Sequence, residues 1–237
     1  ELRNNYGREE FNSDFKSVSK YKIKKIKNFS NFEPAIVFKS DGIIFFEKQG
    51  SLKKFDYSQK LIWKKNFYSK QEKKSNILLN IAHENDILII TDNLSKYYAV
   101  DSKNGKLLWS RTNLTPFNSQ IKINKDKFYV VDYENILHCF SIKNGNRIWS
   151  YQTDNFFVKS KKTLSIIIDN EKVIFTNSIG DITALDANKG FLLWQTPTQN
   201  NLIYAESASL ITSDIALEKE SIFFSNNRNE FYSINKD

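Results

Sequence analysis

The stretch Asn177–Trp194 reads NSIGDITALDANKGFLLW. It holds an alternating run, Asp181-Ile182-Thr183-Ala184-Leu185-Asp186, then a turn ending in Gly190 and a tryptophan four residues beyond that glycine. The same phrase occurs at Tyr97–Trp109 (YYAVDSKNGKLLW) and at Leu137–Trp149 (LHCFSIKNGNRIW). A worn copy stands at Leu52–Trp63 (LKKFDYSQKLIW). The 4 tryptophans of the chain are the ends of these phrases, 46, 40 and 45 residues apart. Each unit reads as four short strands. In the clearest copy these are Ser119–Asn124, Phe128–Asp132, Ile136–Ile142 and Arg147–Thr153, with polar turns such as Lys143-Asn144-Gly145-Asn146 between them. Four strands per period of this length predict an all-β fold, a β-propeller, because one such sheet cannot bury both faces alone. Five blades are visible from residue 33, and the fifth stops at Asp237 before its turn and tryptophan.

The repeat assigns structural roles. Gly105, Gly145 and Gly190 occupy a turn position where positive φ is expected, which glycine adopts without a steric penalty. The first unit lacks this glycine and is one residue shorter, so its turn is expected to be of another type. Trp63, Trp109, Trp149 and Trp194 are expected to dock each blade on its neighbour, since a residue repeated once per blade serves a contact repeated once per blade. Asp101 and Asp186 are read as turn residues that hydrogen-bond their own backbone.

Composition bounds the rest. Among 237 residues aromatics make up 14%, and Gly and Pro number only 7 and 3, which favours pleated, half-buried surfaces over disorder. The net charge of +8 comes from lysines spread along the whole chain with no nucleic-acid motif beside them, so solvated faces are expected and no nucleic-acid partner. The one cysteine, Cys139, excludes an internal disulfide and is expected to be a small buried hydrophobe. No stretch reaches the length of a membrane span, and the chain opens on Glu1 without a methionine. A removed leader or a longer parent chain is the expectation, with membrane association only through a removed anchor or a partner.

Residues 1–32 read as a polar N-terminal arm. The unfinished fifth blade leads to the expectation that the chain is a fragment of a seven- or eight-bladed ring; the alternative is that Tyr21–Phe29 (YKIKKIKNF) within the arm supplies the missing strand and closes a smaller ring.

The alanine-leucine-aspartate of Ala184-Leu185-Asp186 with Gly190 and Trp194, and Ala99-Val100-Asp101 with Gly105 and Trp109, resemble the tryptophan-docking motif of the PQQ-like repeat. The WD repeat would need Asp after Trp, where Lys64, Ser110, Ser150 and Gln195 stand, and the kelch repeat a Gly-Gly pair. The resemblance runs from Glu33 to the end. It implies one of two classes: quinoprotein dehydrogenases using pyrroloquinoline quinone and Ca²⁺, or non-catalytic propellers such as the BamB-type lipoproteins of outer-membrane β-barrel assembly. The short blades are more similar to the second. The vicinal cysteine pair of many alcohol-oxidising quinoproteins is missing, and His83 and His138 have no carboxylate or cysteine at metal-ligand spacing.

No catalytic, cofactor-binding or metal-binding residue is therefore assigned. The resemblance implies a non-enzymatic, periplasmic scaffold, outer-membrane associated, whose protein partner is a BamA-type barrel-assembly subunit. The alternatives are a quinone-dependent dehydrogenase and the sensor domain of a larger membrane protein. Two stretches break the repeat: the exposed charged loop Lys70-Gln71-Glu72-Lys73-Lys74, and 196–204, where Leu202, Ile203 and Tyr204 are the first candidates for a protein contact.

Overall fold

The structure, a computed structural model, describes residues 20–21, 36–153, 162–196, 212–226 and 229–236. Among the described residues, nineteen strands form five antiparallel sheets, each a propeller blade. The described residues divide into two compact units, one ending at Asn113 and the other beginning at Leu114.

The first unit holds two blades. One comprises β1 (Val37–Lys39), β2 (Gly42–Glu47), β3 (Ser51–Phe55) and β4 (Leu61–Lys65) in sequential order. The next comprises β5 (Leu79–Glu84), β6 (Ile87–Asp92), β7 (Lys96–Asp101) and β8 (Leu107–Thr112). Their facing side chains interleave in one core: Val37, Ile44, Phe46, Leu52 and Trp63 against Leu79, Ile81, Leu88, Ile90, Tyr98 and Val100. Alternate residues point to opposite faces of a strand. Leu88, Ile89 and Ile90 are all fully buried, so β6 is covered on both faces and reads as an unbroken apolar run. Of the N-terminal arm only Lys20 and Tyr21 are described. Tyr21 stands edge-on to Phe55 at 5.7 Å and donates its hydroxyl to the Asp56 carbonyl. The remainder of the proposed closing strand, residues 22–29, lies outside the described residues.

The second unit holds three blades. They are β9 (Lys122–Asn124) to β12 (Arg147–Gln152), with β10 (Lys127–Val131) and β11 (Ile136–Ser141) between; then β13 (Ile166–Asp169), β14 (Lys172–Thr176), β15 (Ile182–Asp186) and β16 (Leu192–Thr196); then β17 (Ala216–Glu218), β18 (Ser221–Ser225) and β19 (Phe231–Asn235). Tyr129, Val131, Leu137 and Cys139 pack on Ile166, Ile168, Val173 and Phe175, and the opposite face of that middle sheet packs Ile174, Ile182 and Ala184 on Leu217, Ile222 and Phe224. The segments just before β9 and β13 also touch through the backbone: Leu164 N–H donates to Asn118 O, and Gln120 N–H to Leu164 O. The last strand of each four-stranded blade exposes apolar side chains: Leu61 and Ile62, Leu107 and Leu108, Ile148, or Leu192 and Leu193.

Candidate functional site

The tryptophans are aimed by a β-bulge. Trp63, Trp109, Trp149 and Trp194 sit opposite Lys54, Ala99, Cys139 and Ala184, and the register slips by one residue immediately afterwards in every case. The extra residues are Ile62, Leu108, Ile148 and Leu193, each just before its tryptophan. A bulge bends the outer strand and adds twist, which re-aims the following side chain.

Three indoles donate to a backbone carbonyl on the next blade. Trp63 Nε1–H donates to Ser102 O at 3.1 Å, Trp149 Nε1–H to Ala187 O at 3.2 Å and Trp194 Nε1–H to Lys236 O at 3.0 Å. The acceptors follow Asp101, Asp186 and Asn235, the last residues of β7, β15 and β19. Tyr129 Oη–H shares the Ala187 carbonyl at 2.9 Å. Trp109 stands edge-on to Tyr97 within its own sheet.

The turn glycines serve these indoles. Gly105 and Gly190 have φ of 71° and 75°, and a Cβ on them would lie 2.9 Å from Trp63 Cδ2 and 2.5 Å from Trp149 Cδ2. Asp101 Oδ1 accepts Lys103 N–H, and Asp186 Oδ1 accepts the N–H groups of Asn188 and Lys189, so both aspartates brace their turns. Ser141 replaces them in the third blade, where Asn144 Oδ1 accepts Asn146 N–H and Gly145, at φ 70°, donates its N–H to Ser141 O.

The hairpins between second and third strands carry a second repeated device that sequence reasoning missed. Asp92, Asp132 and Asn177 each accept with Oδ1 the N–H groups two and four residues on. The second oxygen is used differently. Asp92 Oδ2 accepts Tyr68 Oη–H at 2.6 Å, whereas Asp132 Oδ2 contacts His138 Nε2 at 2.9 Å and accepts Thr115 Oγ1–H. Burial lifts Asp92 above the usual carboxylate range despite these donors. At Asp132 burial acts in the same direction, but hydrogen bonds from His138 and Thr115 outweigh it and hold the carboxyl below that range. Aligning the repeats on their tryptophans would have brought these three positions together.

Cys139 is a fully buried free thiol pushed up to about 12 by burial, which leaves it without thiolate character at neutral pH. Among the described residues no three His, Cys, Asp or Glu side chains converge as a metal-binding group, and no helix is long and apolar enough to cross a membrane. Leu202, Ile203 and Tyr204 lie outside the described residues.

Bulge-aimed tryptophans on four-stranded blades define a propeller of PQQ-like repeats. The family described as outer membrane protein assembly factor BamB matches residues 48–237, and the chain belongs to it. A curated relative, the outer membrane protein assembly factor BamB of Moranella endobia, is 26% identical over 138 residues, which cover 57% of this chain and 32% of that protein. The chain therefore spans about a third of that relative's length. The crystal structure of BamB from Moraxella catarrhalis is similar with a TM-score of 0.70 at 16% identity, covering 87% of this chain and 64% of that one. The quinohemoprotein alcohol dehydrogenase ADHIIG from Pseudomonas putida HK5 shares the fold with a TM-score of 0.62 at 13% identity, covering 85% of this chain and 40% of that one.

Proposed function

We propose that this chain is a non-enzymatic scaffold in the assembly of outer-membrane β-barrel proteins. It acts in the periplasm, at the outer membrane, and its protein partner is a BamA-type subunit. The observation that carries this reading is the family match over residues 48–237. The geometry supports it chemically. The repeated polar side chains of the described blades are spent on turns, hairpin caps and blade docking, which makes a stiff platform whose loops are free to bind. The docking role of Trp63, Trp109, Trp149 and Trp194, and of Gly105, Gly145 and Gly190, belongs to the same proposal. So does a contact through Leu202, Ile203 and Tyr204.

The test is recovery of the protein from its native cell. The gene product is tagged, extracted gently from membranes and purified, and its companions are identified. A BamA-type subunit in stoichiometric amount is the expected result. Recovery alone, or with a cytochrome, overturns the scaffold reading. Titration with pyrroloquinoline quinone and Ca²⁺ followed by absorbance would then test the dehydrogenase whose fold this chain shares.

A further inference from the structure

The charged loop Lys70–Lys74 reads from sequence as a solvated break in the repeat. In the structure it is fastened down. Ser69 and Glu72 cap each other reciprocally: Ser69 N–H donates to Glu72 Oε2 at 2.6 Å, and Glu72 N–H to Ser69 Oγ at 3.2 Å. The other carboxylate oxygen, Glu72 Oε1, takes Lys96 Nζ from the start of β7 at 2.5 Å. Lys96 Nζ also stands 4.6 Å above the ring of Tyr68, the residue before the cap. Tyr68 is buried, its hydroxyl is tied to Asp92, and its ring covers Gly50, where a Cβ would meet it at 2.5 Å. The loop is thus pinned at its foot by two residues of the next blade's hairpin and by the turn Lys48–Gly50.

This fastening sorts the charges. The one acidic residue of the stretch is turned inward onto Lys96, and that contact holds its carboxyl down to about 2, so it stays ionised and neutralised there. Lys70 and Lys74 are exposed and Lys73 half-exposed, and among the described residues none of the three pairs with a carboxylate. The turn Glu72–Lys74 lies against the turn Lys48–Gly50, which brings the exposed Lys48 to the same end of the unit. Four lysines therefore lie on two adjoining turns at one corner, and the one carboxylate of the stretch is engaged by Lys96.

We propose that this corner, Lys48, Lys70, Lys73 and Lys74, is a docking surface for an acidic patch on a folded protein partner; the inference rests on the scaffold reading above. A fluid anionic lipid surface is attracted as well by lysines on a mobile tail, so holding them in fixed positions gains little there. A folded partner with carboxylates in fixed positions gains from it, because the binding groups lose less freedom on contact. Rim charges of this kind set association rate and salt dependence.

The probe is the purified periplasmic region of the BamA-type subunit from the same cell. Binding is measured for the wild-type chain, for Lys70→Glu/Lys73→Glu/Lys74→Glu, and for Lys106→Glu/Lys125→Glu/Lys143→Glu, which changes net charge equally elsewhere. Lys→Gln at the loop positions serves as a milder set should the reversal not fold, as judged by circular dichroism. The loop reversal should weaken binding about tenfold or more at low salt, with the difference shrinking above a few tenths molar salt, while the control set stays within about threefold. Equal effects of the two sets, or none from the loop set, overturn the inference while leaving the scaffold reading intact. Failure of the wild-type chain to bind removes both. Vesicles of phosphatidylethanolamine with about a quarter phosphatidylglycerol give the remaining arm: loop-dependent vesicle binding with subunit binding untouched overturns the inference in favour of lipid.

Discussion

The turn between β3 and β4 and the turn between β15 and β16 join corresponding strands with different residues. In the later blade Gly190 stands at φ 75° beneath the indole of Trp149. In the first blade Gln59 takes the left-handed place at φ 66°, the turn is one residue shorter, and Gln59 is exposed. Yet Trp63 is the most buried of the four tryptophans, at 7% exposure, and its indole meets Ser102 O as Trp149 meets Ala187 O. A blade's own turn is therefore not what seats its tryptophan. The bulge before the tryptophan aims it, and the glycine that receives it belongs to the next blade. The worn copy lacks the glycine in a turn whose Gln59 is exposed, and has the bulge and the indole–carbonyl contact of the others.

The most severe way to break this comparison is to remove the indole. Trp149→Ala should cost about 3–5 kcal/mol, the range for emptying a large aromatic site. It also leaves the Ala187 carbonyl to Tyr129 alone. A urea midpoint unchanged by this substitution would refute the docking role.

The glycines sharpen the comparison. Gly190→Ala puts a methyl 2.5 Å from two atoms of Trp149, which demands a shift in a packed ring as well as strain at positive φ. Overpacking of this kind costs about 1–3 kcal/mol, and the left-handed conformation about 1 more. Gln59→Gly should do the reverse. At an exposed left-handed position it relieves strain and leaves stability within about 1 kcal/mol of the wild type or above it. Equal losses at the two sites, seen in parallel urea titrations, would show that the glycine answers to its own turn after all.

The hairpin carboxylates allow the same test one level down. Asp132→Asn should lose about 1–3 kcal/mol at neutral pH, since the His138 and Thr115 contacts are to a buried carboxylate. Asp92→Asn should cost less: Asn177 already caps the corresponding hairpin, and Tyr68 donates to a neutral oxygen almost as well. The pH slopes should be opposite. A depressed carboxyl such as Asp132 stabilises the fold above the ordinary carboxylate pKa, and that contribution is lost as pH falls through its folded value. A raised one such as Asp92 costs stability when ionised, and that cost disappears as pH falls below its folded value. Relative to wild type, Asp132→Asn should therefore recover on acidification and Asp92→Asn should fall behind. Parallel slopes would contradict the two environments.

The frame of the fold was legible because tryptophan is rare and each copy kept its distance from a glycine or its substitute. The strands Ile136–Ser141 and Arg147–Gln152 lie within a residue of where alternation and turn residues put them. The acceptors Ser102, Ala187 and Lys236 were not legible, because a backbone carbonyl on a neighbouring blade leaves no mark on residue type. The bulge did leave one, the apolar residue before each tryptophan, which alternation alone reads as a register error. The loop at Lys70–Lys74 announced its charge, but its fastening depends on Tyr68, Asp92 and Lys96, which come together only across blades.

Lys54 is the last departure of the worn copy. It stands opposite Trp63 where Ala99, Cys139 and Ala184 stand opposite theirs, and it is 2% exposed. Its ammonium reaches Asp41 Oδ2 at 2.6 Å and Ser102 O at 3.2 Å, the same carbonyl that receives the Trp63 indole. Breaking a buried ion pair is costly when it strands the partner. Here it would not. Asp41 is half-exposed and can be solvated, and Ser102 O keeps its indole donor. Lys54→Met preserves the buried stem and should change stability by no more than about 1 kcal/mol in either direction. A loss several times larger would mean that the ammonium, and not the bulge, seats Trp63, and the first blade would then dock by a mechanism of its own.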